Sequence, residues 1–135
     1  MYLFLLLLTA SFTACEEQQL ANKYPNPQWT FTPKPEYSVS MTAAVRLPDN
    51  LNPYISDNDL MAAVAGDEVR AVANLYEGVF YLNIQGTTDE VTDITFLYWS
   101  ANTMYMYRAD EVFPFRENDM LGTPDKPLVL TFKAI

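Results

Sequence analysis

The chain has no histidine and a single cysteine, Cys15. Without histidine it lacks the commonest general base and the commonest metal ligand. Glycine is scarce as well, at four residues, and no phosphate-cradling loop is present. Basic side chains are few, 8 against 17 acidic ones, which leaves a net charge of −9. That balance excludes a nucleic-acid partner, which needs a basic footprint. It also opposes electrostatic binding to anionic lipid. Paired carboxylates are the one remaining route to catalysis. The candidates are Asp57/Asp59, Asp67/Glu68, Asp89/Glu90/Asp93 and Asp110/Glu111. They fall at or near turns, where acidic residues serve turn geometry and solubility. The sequence therefore reads as a non-enzyme with no cofactor. Asp57-Asn58-Asp59 and the Asp89, Glu90, Asp93 group offer the hard oxygens that calcium takes. Neither has the ligand spacing of a recognised loop, so no metal residue is assigned and a calcium-stabilised surface domain is a remote alternative.

What is present begins at the N-terminus. Leu3 to Leu8 is an unbroken apolar run, and Thr9 to Ala14 are small or apolar. The stretch is too short to span a bilayer, which takes ~20 apolar residues. Cys15 follows at once, then Glu16 and Glu17. This order resembles a bacterial lipoprotein signal peptide. The resemblance implies a signal peptide over residues 1–14, lipidation of Cys15, and membrane attachment through that lipid. The Glu16-Glu17 pair resembles the acidic export signal of Bacteroidetes-type lipoproteins. It implies an outer-membrane, lipid-anchored and surface-exposed protein.

Residues 15–36 read as the lipidated cysteine and a tether. Pro25, Pro27, Pro33 and Pro35 break regular elements and favour an extended, semi-rigid chain. Within it, Trp29 and Phe31 alternate with Gln28, Thr30 and Thr32, the pattern of a short docked strand.

From residue 37 to 135 the pattern is β. Tyr37, Val39, Met41, Ala43 and Val45 recur at every second position. Pro48-Asp49-Asn50 marks a turn. Residues 60–73 are alanine-rich, which favours helix. However, Gly66-Asp67 sits between two similar runs, and Val64, Val69 and Val72 are β-branched, so a hairpin is expected. Phe80, Leu82 and Ile84 alternate with Val79, Tyr81 and Asn83; Ile94, Phe96 and Tyr98 alternate with Thr95, Leu97 and Trp99. Met104 and Met106 alternate with Tyr105 and Tyr107, Val112 to Phe115 is a short extended piece, and Leu128 to Phe132 reads as a last strand. Seven or eight short strands at hairpin spacing predict an all-β fold, an antiparallel immunoglobulin-like β-sandwich.

Four segments carry a further resemblance: Asp59 to Ala73, Phe80 to Gly86, Ile94 to Ala101 and Gly122 to Leu130. Their order and wording resemble a module of secreted and surface proteins of Bacteroidetes, with a segment of the form DEVAAFVGDECRGVA. The cysteine common in that segment is Val69 here. The resemblance implies an exported β-sandwich and no catalytic residues.

Aromatic excess gives the candidate ligand face. If Met104 and Met106 face the core, Tyr105 and Tyr107 face outward, beside Leu97 and Trp99. Tyr81 joins them from a neighbouring strand. Flat rings on a rigid sheet stack on sugars, with Asn83 and Arg108 as hydrogen-bonding partners. The candidate ligand-binding residues are thus Tyr81, Asn83, Trp99, Tyr105, Tyr107 and Arg108. The opposing reading has Trp29 and Phe31 covering that face. Two functions follow: a structural, adhesion or protein-interaction module, or a glycan-binding accessory module.

Overall fold

The computed structural model describes residues 22–135, so the signal peptide, Cys15 and Glu16-Glu17 lie outside the described residues. Its strands are β1 (Val39–Arg46), β2 (Leu60–Ala65), β3 (Glu68–Tyr76), β4 (Val79–Gly86), β5 (Asp93–Trp99), β6 (Met106–Pro114), β7 (Met120–Leu121), β8 (Leu128–Val129) and β9 (Phe132–Ala134). No described residue is α-helical; one 3-10 turn, Asn52–Tyr54, follows the Pro48–Asn50 bend. The alanine-rich 60–73 segment is therefore strand.

Tight turns set the hairpins. Gly66 has φ +61°, and Ala65 pairs with Glu68 across it. That places glycine at the first central position of a two-residue hairpin turn, where a positive φ is required. Tyr76 pairs with Val79 across Glu77 and Gly78, both at positive φ. Matching positive values at both central positions are the geometry that fits the right-handed strand twist.

The strands form one mixed, curled sheet of nine, in the order β7-β1-β4-β3-β2-β5-β6-β9, with β8 also on β1. The expectation of a purely antiparallel arrangement is corrected here. β7 and β8 run parallel to β1, because the chain leaves β6 and returns along the free side of β1. The expected last strand is also two strands. β8 pairs with β1 at one side of the path, and β9 pairs antiparallel with β6 at the other. Only Leu130 and Thr131 separate them. Leu130 is buried, and the main-chain oxygen of Thr131 accepts from the Asp110 N–H at 2.9 Å. This short bridge draws the two ends of the sheet together and curls it around its core. It also leaves only short strands at the edges, which limits edge-to-edge pairing.

The core lies on the concave face. Met41, Ala43 and Val45 of β1 and Phe80, Leu82 and Ile84 of β4 come from one half. Met61 and Ala63 of β2 and Ile94, Phe96 and Tyr98 of β5 come from the other. The inward alternation expected for β4 and β5 is thus observed. Phe80 meets Tyr98 edge-on at 5.9 Å across the two halves, and Tyr98 stacks on Tyr107 at 5.5 Å. Such aromatic pairs add to the area they bury.

Candidate functional site

The six candidate residues do not share one face. Tyr81 and Asn83 lie on β4, whose neighbours are β1 and β3. Trp99, Tyr105, Tyr107 and Arg108 belong to β5, β6 and the turn between them. β3 and β2 intervene, so Tyr81 does not join the others. Strand order, invisible to periodicity, decides this.

Trp99 does not face solvent. It is 6% exposed, and its indole N–H donates to the Tyr24 carbonyl at 3.0 Å. The Tyr24 N–H donates to the Met104 carbonyl at 2.7 Å, and Lys23 bridges Tyr105. The N-terminal segment therefore covers this platform. Tyr24 covers Trp99, Trp29 lies on the same face beside Leu97 and Arg108, and Phe31 stacks on Tyr37 instead. The expected strand at residues 28–32 is absent, yet Pro27, Trp29 and Phe31 are half-buried while Gln28, Thr30 and Thr32 are exposed. The chain kinks at Gln28, which has φ +53°, and docks with alternate side chains turned inward but without ladder hydrogen bonds. Trp99→Phe should remove the Tyr24 bond and lower stability by about 1 kcal/mol. Faster proteolysis within residues 22–36, with the rest of the chain protected, would check it.

The expected facing in β6 is also inverted. Tyr107 pairs with Tyr98 and packs on the core, whereas Met106 pairs with Trp99 on the covered face. Met104 occupies the turn at φ +63° and is 39% exposed. The turn runs further than Ser100–Asn102, so the strand starts later and the methionine pattern misleads. Burial pushes the Tyr107 hydroxyl up from its usual range. Tyr105 is half-buried and meets Tyr107 edge-on at 6.4 Å, and Arg108 is exposed.

The turn carboxylates are not equivalent. Asp59, offered above to calcium, is wholly buried. Its Oδ2 accepts from the Ser56 N–H at 3.0 Å and the Tyr98 hydroxyl at 2.8 Å, and its Oδ1 from the Ala101 N–H at 2.8 Å. Those bonds make it a structural acceptor. Desolvation, with Asp59 alongside, pushes the Tyr98 hydroxyl well above its usual range. Among the described residues no three acidic or thiol groups gather at metal-binding distance.

Arg70 anchors a second network that periodicity missed. Ala63 pairs with Ala71, but Val64 pairs with Val69, so Arg70 is the extra residue of a β-bulge. Bulges re-aim side chains. Here the guanidinium turns inward to Glu90, at 2.7 and 3.0 Å, to Glu68 at 2.6 Å and to the Gln85 carbonyl at 2.9 Å. It also lies over the Tyr37 ring at 4.5 Å. Glu68 accepts from Lys34 at 2.7 Å and the Tyr37 hydroxyl at 2.5 Å, tying the N-terminal segment to β3. The Lys34, Tyr37 and Arg70 donors hold the Glu68 carboxyl down at about 2. Arg70 does the same for Glu90, also at about 2.

Exposed large apolar side chains gather at the outer face of β1 and β4 and the neighbouring end of β3. Tyr76, Tyr81 and Met120 are 64%, 44% and 60% exposed. Tyr76 and Tyr81 lie 6.5 Å apart with rings tilted at 59°. Between Tyr81, Ala44, Met120 and Pro124 runs a mainly apolar groove of about 240 Å³, with Thr42 and Asn83 also in its lining. Gly122 shapes its floor: at φ +77°, an added Cβ would lie 2.6 Å from the Leu128 nitrogen and 2.7 Å from the Ala44 oxygen. Only glycine lets β7 and β8 approach β1 this closely.

The chain matches no family model, no curated protein and no solved structure. Function must be argued from these surfaces.

Proposed function

We propose that this is a non-enzymatic, lipid-anchored cell-surface protein whose immunoglobulin-like sandwich binds a protein partner through the outer face of β1 and β4. The observation that carries the binding reading is the groove beside Tyr81. Exposed aromatic and methionine side chains concentrate there, and such residues are enriched where proteins meet. The burial of Trp99 removes the exposed Trp99–Tyr105 pair as a stacking platform for a glycan. The short edge strands favour association through a sheet face over strand addition.

Anchoring rests on Leu3 to Cys15 with the acidic pair behind it. Lys23 is docked on Tyr105 and lies eight residues past Cys15. A chain spans at most ~3.6 Å per residue. In this reading a lipid on Cys15 keeps the Lys23–Tyr105 end of the body close to the membrane.

The test combines anchoring and binding. Palmitate labelling should be lost in Cys15→Ser. Cells displaying the protein should bind one or more members of a panel of purified host-surface and matrix proteins, saturably. Tyr81→Asp and Met120→Asp should each weaken that binding by about tenfold or more, because a charge is desolvated at the contact. Labelling that survives Cys15→Ser sinks the anchor. Binding that ignores both substitutions, or none across the panel, sinks the groove.

A further inference from the structure

A second recess lies on the opposite half of the sheet. The β2–β3 turn, the outer faces of β5 and β6 and the ring of Trp29 enclose about 290 Å³. That is the small end of ligand-pocket size. Its lining is mixed: Trp29, Val69 and Leu97 are apolar, while Asp67, Thr95 and Arg108 are polar or charged.

Arg108 is the informative residue. Four of the chain's 8 basic side chains, Lys34, Arg46, Arg70 and Lys133, sit in ion pairs. Arg108, like Lys23, Arg116 and Lys126, pairs with no carboxylate among the described residues, but it lines this recess, and so does Asp67. A guanidinium fork left open beside an aromatic ring suits a planar carboxylate. The overall charge of −9 repels free anions, so a carboxylate alone gains little. A ligand that also offers an apolar ring face gains more, because it stacks on Trp29 over Val69 and Leu97. Its hydroxyls would meet Asp67 and Thr95, which accept and donate.

We propose that this recess binds a carboxylate-bearing sugar, such as a uronic acid residue of an acidic polysaccharide, with its ring on Trp29 and its carboxylate on Arg108. The site goes beyond the protein-binding groove and lies on other strands, so either can fail alone.

The chain has two tryptophans, and Trp99 is buried and hydrogen-bonded. Ligand-induced fluorescence changes therefore report Trp29. Detergent-solubilised full-length protein is titrated with tri-galacturonate, with the neutral trisaccharide of galactose, and with acetate at matched ionic strength. The expected result is a saturable change with tri-galacturonate and binding weaker by about tenfold for the neutral sugar. Arg108→Gln should weaken tri-galacturonate by a similar factor without moving the melting temperature, since Arg108 is exposed and unpaired. Trp29→Ala, read by calorimetry, should lose binding. Equal affinity for the neutral sugar, an unaffected Arg108→Gln, saturation by acetate alone, or no response to tri-galacturonate each overturns the proposal.

Discussion

Replacing Arg70 with methionine should lower unfolding stability by about 3–5 kcal/mol, the cost of leaving a buried charge without its partner. The Arg70 and Glu90 side chains are each only 7% exposed. Glu90 keeps the Thr87 N–H at 2.9 Å and the Thr92 side chain beside it, and neither neutralises it. The Gln85 carbonyl loses a donor as well. Arg70→Lys should recover little, because an ammonium cannot fork to Glu90 while reaching Glu68 and Gln85. The double change Arg70→Met with Glu90→Gln should recover part of the loss, because it removes the stranded charge. Denaturant midpoints at constant slope measure all three. A methionine variant as stable as the parent would show that the bulge is held by its hydrogen-bond ladder alone.

The same network sets an acid limit. Glu68 and Glu90 sit at about 2 in the folded protein, against about 4.3 in an unfolded chain. A depressed folded value means the contribution is complete above the unfolded value and fades as the pH falls toward 2. Wild-type stability should therefore drop between about pH 4.5 and 2, and that drop should be shallower in the double variant, where Glu90 no longer titrates and Glu68 has lost one of its three donors.

This network also shows where legibility ended. The run from Leu60 to Ala73 reads as a hairpin about Gly66-Asp67, and it is one, because glycine at a required positive φ is a local signal. The bulge at Arg70 is not local. It exists because Glu90, on the loop before β5, offers a buried carboxylate 20 positions away. Periodicity assigns Glu68 and Glu90 to solvated turns, since it sees spacing along the chain and not partners across it. Likewise β4 and β5 alternate cleanly because each has one face on the core, so Phe80 to Ile84 and Ile94 to Tyr98 are read correctly. Trp99 and Met106 break that logic, because the N-terminal segment buries their second face. The Glu77-Gly78 hairpin turn has no asparagine or aspartate, so its sequence gives a weaker signal. Strand order is the largest omission: it separates Tyr81 from Tyr105, and nothing in either strand's composition announces it.

Asp59→Ala should be the second severe change, at about 3 kcal/mol or more, because it strands three donors around a buried site. Two are the main-chain N–H groups of Ser56 and Ala101, and the third is the Tyr98 hydroxyl. Tyr98→Phe should cost less, about 1–1.5 kcal/mol, because Asp59 keeps both main-chain bonds. Asp59→Asn should fall between them, since its amide turns a donor toward one of these donors. The consequence reaches past stability. Ala101 opens the β5–β6 turn, whose Met104 carbonyl accepts from Tyr24 and whose Tyr105 bridges Lys23. Loss of Asp59 should therefore speed hydrogen exchange at Ala101, Met104 and Tyr24 ahead of the β1–β4 half. If the segment carrying Trp29 loosens with it, tri-galacturonate binding should weaken in Asp59→Ala while the Tyr81 groove keeps its partner. Uniform exchange across both halves would instead make the turn an ordinary part of one cooperative unit.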